Sequence, residues 1–308
     1  MILLCATRAI EAPGACGTIG FGYSPVNPTF NVPFEIHLPS ARLAPHVEML
    51  WAYHGPGPAH RRERVLPDGS VELVINLDDV ARRRFDRRMP ERFQCVRHAW
   101  VSGPQPEFML IDVLPEANLI GAHFRPGGLA AFVRIPVEEL SGQLVEADAV
   151  WNRDADDLRD MLLETPRVKA RFRVLERFLM RRLRDDTGDR SLIHAALPCL
   201  ETADEGPAIE TIAAHLGVSH KHFIHRFRSE IGLTPKRFGR IRRFQRTLQS
   251  LQAGRAPDWT DLACAGGYYD QAHLIHEFRS FGGLTPAAFL RLPGADHRFI
   301  PLADGELA

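Results

Sequence analysis

FIHRFRSEIGLTPKRF at residues 223–238 returns as LIHEFRSFGGLTPAAF at 274–289, a shift of 51 with ten of sixteen positions identical. Each copy follows a short helical pattern closed by glycine, IETIAAHLGVS at 209–219 and TDLACAGGYYD at 260–270. In the first copy Ile209, Ile212, Ala213 and Leu216 fall at i, i+3, i+4 and i+7, which gives one apolar helix face. Gly217 permits a sharp turn, and Ser219 is a suitable N-cap for a second helix whose Phe223 and Phe227 share a face. Thr234-Pro235 restarts the chain as N-cap and first turn of a third helix. The second copy repeats the plan with Asp270 as cap, Leu274 and Phe278 inward and Thr285-Pro286 as the restart. Helix, tight turn and second helix, stated twice, predict two helix-turn-helix units.

The patterns Ile-Ala-x-x-Leu-Gly-Val-Ser, Gly-Tyr-x-Asp-Gln and the paired Phe-Arg-Ser-x-x-Gly-Leu-Thr-Pro resemble the tandem DNA-binding domain of AraC/XylS-type transcription regulators over roughly residues 205–290. The resemblance implies that one chain presents two recognition helices to successive major grooves, which lie about 34 Å apart. On the outward faces it implies base contact from Lys221, Ile224, His225 and Arg228 in the first helix and from Gln271, Ala272, Ile275 and His276 in the second. Related sequences often carry arginine where His225 and His276 stand, so a different operator is expected here. Arg226 and Glu277 also read as outward and would differentiate the two surfaces.

Charge supports the same division of labour. The chain of 308 residues holds 38 Lys and Arg against 38 Asp and Glu, yet residues 205–291 carry 12 against 7, a surplus of +5 that leaves −5 elsewhere. Between the two units, KRFGRIRRFQRTLQSL (236–251) has Lys236, Arg237, Arg240, Arg242, Arg243 and Arg246 with no acid. Phe238, Ile241, Phe244, Leu248 and Leu251 form its apolar seam. Arg240 and Arg243 are candidates for phosphate contact, although a solvated basic face would read the same way.

Composition places the chain among two-domain globular proteins, 45% hydrophobic and 25% charged. It contains no apolar run of membrane-spanning length, and MILLCATRAI lacks the basic lead of a signal peptide. The five cysteines show neither metal-ligand spacing nor an even count. A cytoplasmic protein is expected.

Residues 1–32 read as a loose tail and 33–150 as a β-rich domain. HVEMLWAYH, a Leu66-Pro67-Asp68-Gly69 turn and SVELVINL suggest a hairpin, and 97–102, 108–113 and 119–124 suggest further strands of a barrel or rolled sheet. A strand ending at Phe124 leads through Pro-Gly-Gly to an apolar helix expected near Leu129. This part is similar to the N-terminal domain of one AraC-type subgroup, and the resemblance implies a sensing or dimerising role. Residues 151–190 read as a helical connector or dimerisation region, with Asp154 or Asp156 as a cap and a second helix after Pro166. Residues 191–292 form the DNA-binding domain and 293–308 a C-terminal tail.

The predicted fold is therefore α+β with two domains, a barrel-like N-terminal β domain followed by helices and an all-α C-terminal domain with its two units joined by a linker helix. Trp51, Asp68, Trp100 and Arg125 are candidate ligand-pocket residues, with Phe124 and Trp151 as further walls; core packing is the better reading for any one of the aromatic residues, and bonding of their own turns explains Asp68 and Arg125 equally well. No nucleophile elbow, P-loop, dinucleotide fingerprint or metal-ligand spacing among the histidines is present, so neither catalysis nor a cofactor or metal is expected. The expected partners are double-stranded DNA and a small-molecule effector, with RNA polymerase and a second copy of the chain as further candidates. The alternative is a constitutive or architectural DNA-binding protein whose N-terminal domain only dimerises.

Overall fold

The computed structural model describes residues 34–184, 190–202, 208–252 and 258–302. The predicted tail at 1–32 lies outside them.

Two antiparallel sheets build the N-terminal domain. The first holds β1 (Phe34–His37), β2 (Val47–Pro56), β9 (Glu116–Phe124), β4 (Val71–Asn76), β7 (Ala99–Ser102) and β10 (Leu144–Glu146), in that order. The second runs β11 (Phe299–Leu302), β3 (Arg62–Val65), β8 (Met109–Asp112), β5 (Arg82–Phe85) and β6 (Phe93–Val96). Strand alternation sorts the first sheet's side chains. Trp51, Tyr53, Val74, Trp100 and Leu119 face the second sheet, where Met109 and Phe299 meet them. Leu50, Ala52, Leu73, Ile75, Val101 and Ile120 face the other way, onto α1 (Ala147–Trp151), α2 (Arg153–Leu163) and α3 (Val168–Arg182). Phe172, Leu175 and Leu179, on the apolar face foreseen for the longer helix, are buried there.

Several details depart from expectation. β2 and β4 form no hairpin: β9 lies between them, and the Pro-Asp-Gly turn carries the chain from β3 in one sheet to β4 in the other. β3 itself, RERV, is too charged to show strand alternation. The helix expected at Leu129 is a pair of short 3-10 turns, 128–131 and 137–140, because Pro136 removes a donor between them. Asn152, in the left-handed region at φ 53°, precedes α2 in place of the expected Asp cap.

The C-terminal domain comprises α4 (Arg190–Thr202), α5 (Ile209–His215), α6 (His220–Ile231), α7 (Pro235–Gln252), α8 (Trp259–Ala265), α9 (Gln271–Gly282) and α10 (Pro286–Phe289). Every residue of the predicted α7 seam is buried. Residues 299–302, expected within a tail, form β11 and pair with β3 in register Phe299 to Val65 through Leu302 to Arg62. The chain thus returns to its N-terminal domain after completing the C-terminal one, and Leu66 and Ile300 enter the core of the helical domain.

At the centre of the first sheet, β9 comes so close to its neighbours that a Cβ at Gly121 would sit 2.5 Å from the Leu73 carbonyl and 2.5 Å from the Trp51 ring. Gly121→Ala should therefore cost about 1–3 kcal/mol through overpacking, read as a lower midpoint in urea unfolding.

Candidate DNA-reading surface and the cavity behind it

The two recognition helices are built alike. Ser219 Oγ accepts from His222 N at 3.2 Å, and Asp270 Oδ1 accepts from His273 N at 2.7 Å. Gly217 and Gly267, at φ 71° and 69°, supply the left-handed residue of the preceding turns. Phe223 and Phe227 of α6, and Leu274 and Phe278 of α9, are wholly buried. The opposite faces remain open: Lys221, His225 and Arg228 on α6 and Gln271, Ala272 and His276 on α9 are exposed, with Ile224 and Ile275 half-buried at their edges. The same faces add His222 and Arg279, and Tyr269 stands 92% exposed one residue before the α9 cap. Tyr269 lies in the turn rather than in the repeated helix, so the helical pattern did not pick it out.

Not every predicted contact residue is free. Arg228 pairs with Glu138 of the N-terminal domain at 2.8 Å. The basic helix α7 turns its guanidiniums inward. Arg237 donates to the Pro106 carbonyl at 2.9 Å, Arg242 to that of Asp68 at 3.1 Å and Arg246 to that of Glu201. Arg240 and Arg243 both bind Glu277 of α9, the latter at 3.0 Å, and Arg243 also reaches the Gly267 carbonyl at 2.9 Å. Among the six cations of this helix, Lys236 is the exposed one. Glu277 is not outward either. It is 2% exposed, because its position on α9 faces α7 rather than solvent. The sequence reading placed these groups by charge alone, and a helix packed on several sides has little open face for charge.

The pocket candidates separate into two groups. Trp51, Trp100 and Asp68 line a cavity of about 160 Å³ between the two sheets, together with Glu72, His123, Arg298 and Phe299. Arg125 lies outside it, on a cleft of about 220 Å³ between the domains, and its Nε donates to the Ala44 carbonyl at 3.0 Å. Asp68, Ser70, His123 and Arg298 border both spaces. Trp151 and Phe124 belong to the helix-covered side of the first sheet, with Trp151 Nε1 donating to the Phe132 carbonyl at 3.1 Å.

The shared border is a polar network. Arg298 Nη2 lies 2.7 Å from His123 Nε2 and 3.4 Å from Asp68 Oδ2. Since a guanidinium only donates, His123 Nε2 accepts and its Nδ1–H donates to Glu72 at 2.6 Å. Trp51 Nε1 donates to the same Glu72 carboxylate. Burial acts to raise the Asp68 pKa, but Arg298, His123 and two Ser70 hydrogen bonds overcome it and hold the carboxyl at about 2. No sequence motif announced Arg298, since its partners lie more than 170 positions away. Among the described residues, no group of three or more His, Cys, Asp or Glu is placed to hold a metal ion, and no helix is long and apolar enough to cross a membrane.

Two N-capped helices, each delivered by a tight turn and both held by one connecting helix, define the DNA-binding module of a transcription regulator. A helix-turn-helix domain family matches residues 212–292, and a domain of unknown function (DUF6597) matches residues 35–146. The chain thus carries a helix-turn-helix domain behind a separate β-rich domain. No curated protein matches it. Among solved structures, ToxT from Vibrio cholerae O395 is similar at 10% identity, covering 80% of this chain and 99% of that one with a TM-score of 0.44. Unsaturated fatty acid bound wild-type ToxT from Vibrio cholerae strain SCE256 gives 9% identity, 80% and 97% coverage and a TM-score of 0.45. An AraC-type DNA-binding domain-containing regulator from Chromobacterium violaceum gives 23% identity over 34% of this chain and 96% of that one, with a TM-score of 0.31.

Glu277 ties the second recognition helix to α7, so its removal should loosen that helix. Glu277→Ala is expected to cost about 2–4 kcal/mol, less than a fully buried pair because Arg240 keeps 30% of its exposure. Burial raises the Glu277 pKa, but Arg240 and Arg243 outweigh burial and lower it overall. The stability it contributes is therefore present above the unfolded-state value of about 4.3 and is lost as pH falls below it. Urea unfolding of wild type and variant from pH 7 to pH 3 should converge at the acid end.

Proposed function

We propose that the chain is a sequence-specific transcription regulator that reads DNA with α6 and α9 and answers to a small molecule bound in its β domain. The observation that carries this reading is the pair of open helix faces. Lys221, Ile224 and His225 on α6, and Gln271, Ala272, Ile275 and His276 on α9, stand on the side away from the buried aromatic anchors. Lys221 supplies charge for phosphate or guanine, and the Gln271 side-chain amide has the donor and acceptor pair that matches adenine. Arg240 and Arg243 act in this reading as supports for α9 rather than as phosphate ligands. Arg228 meets DNA only when released from Glu138. The two helices carry different outward residues on one scaffold, so the operator should consist of two unlike half-sites.

The effector half of the reading draws on the cavity between the sheets and on its tie to the DNA-binding domain. Pro67 and Asp68, in the turn that borders the cavity, are held through their carbonyls by Gln245 and Arg242 of α7. A ligand that moves this turn also moves the helix between the two readers. The protein acts in the cytoplasm, on double-stranded DNA.

DNA selected by the purified chain from a random pool should yield one bipartite site. Lys221→Ala and Gln271→Ala should each weaken binding to it about 5- to 100-fold and relax preference at separate positions. Binding should also fall steeply between 50 and 200 mM salt. Unchanged affinity and preference in the double variant would remove these helices as the reading elements. A metabolite panel in thermal-shift assay separates the regulated from the constitutive reading, since a ligand of the folded state raises its apparent stability.

A further inference from the structure

The cavity between the sheets is not the work of the N-terminal domain alone. Arg298 and Phe299 form part of its wall, and both lie beyond the helix-turn-helix domain, on the segment that returns as β11. That segment is fixed to the helical domain at one end, where Gln245 Nε2 donates to the His297 carbonyl at 3.0 Å. It is fixed to the β domain at the other, where Leu66 N donates to the Arg298 carbonyl at 2.7 Å.

Size and charge limit what this cavity can accept. A volume of about 160 Å³ is that of a site for one benzene-sized ring rather than for a long chain or a fused ring system. Its walls are the Trp51 and Trp100 rings with Val74, Met109 and Leu119, and Asp68, Glu72, His123 and Arg298 form one polar cluster on it. There Asp68 and Glu72 approach His123, and Arg298 faces Asp68 as the guanidinium of the network. His123 spends Nε2 on Arg298 and Nδ1 on Glu72 in this arrangement. The remaining charged groups of the wall are paired, Arg82 with Asp78 and Arg83 with Asp112. Two carboxylates thus share one guanidinium in this cluster. An incoming acid would meet like charge, whereas an ammonium group would meet acceptors and two indole rings.

We propose that the effector is a small amine, a protonated primary amine on a single-ring or equally short apolar body, seated between Trp51 and Trp100 with its nitrogen at Asp68 and Glu72. The proposal rests on the reading of the β domain as the effector-binding domain. Binding would draw on Arg298's partners and so act directly on the C-terminal segment.

The test is a titration of the full-length chain with benzylamine, benzyl alcohol, benzoate and decanoate, followed by thermal shift and by tryptophan fluorescence. Benzylamine should raise Tm by a few degrees in a saturable manner and quench fluorescence, with the quench reduced in Trp100→Phe. Glu72→Gln should weaken benzylamine at least about tenfold while changing benzyl alcohol far less, because only the charged donor loses a charged partner. Should Glu72→Gln fail to fold, the order of the four probes on wild type decides the matter. Saturable binding of benzoate or decanoate without benzylamine would overturn the proposal and leave an effector-binding domain standing. Silence from every single-ring probe alongside a hit in a broad metabolite panel would do the same. Silence from both would sink the effector reading with it.

Discussion

A helix with five inward-turned guanidiniums must find five sets of acceptors, and in this protein those acceptors set where everything else lies. Arg240 and Arg243 take Glu277 and so fix the second recognition helix. Arg237 takes the Pro106 carbonyl and Glu107, and Arg242 the Asp68 carbonyl and Glu201. Guanidinium groups suit this task because each presents several donors in a fixed plane and stays charged when half-buried. Gln245 adds a neutral bridge on the same helix, one amide group donating to both Pro67 and His297. α7 is therefore the axis on which two reading helices, a turn of the β domain and the C-terminal return all bear.

This arrangement changes the meaning of the basic segment. A run of cations between two DNA-reading units looks like a phosphate-binding surface, and Coulomb attraction alone favours that view. Packing decides otherwise. Phe238, Ile241, Phe244 and Leu248 occupy the buried seam, and the arginines flanking that seam have neighbours rather than water beside them. Desolvation penalises a charge that finds no partner, so the sequence places carboxylates and carbonyls opposite each one. The charge surplus of the domain is then exposed through fewer groups than it contains, among them Lys221 and Arg228 of α6, Lys236 of α7 and Arg279 of α9.

What was legible in the sequence follows the reach of each interaction. Caps, turns and helix faces depend on residues within four positions of one another, and Ser219, Thr234, Asp270 and Thr285 all accept the amide bonds their positions foretold. Strands rich in Val, Ile and Leu were visible for the same reason. β3 and β5, RERV and RRRF, were not, since their cations lie over Phe85, Phe93 and Phe108 supplied from elsewhere in the chain. The hairpin expected at Pro67-Asp68-Gly69 failed because turn chemistry fixes a reversal but not which sheet receives the next strand. Trp51, Trp100 and Asp68 were identifiable as candidates, whereas Arg298 was hidden by its distance along the chain.

The placement of Arg298 has a thermodynamic consequence for regulation. A ligand shifts a two-domain equilibrium only by its difference in affinity for the two arrangements. In most two-domain chains a cavity within one domain would have to transmit that difference through an interface. Here one wall of the cavity is itself carried on the segment leaving the DNA-binding domain, so the joined and separated arrangements differ in the number of walls the ligand touches. Separation would expose Trp51 and Trp100 and remove Phe299 from between the sheets. A ligand that keeps contact with both walls favours the joined form, in which Arg228 is held by Glu138, whereas one that takes Asp68 from Arg298 weakens that tie.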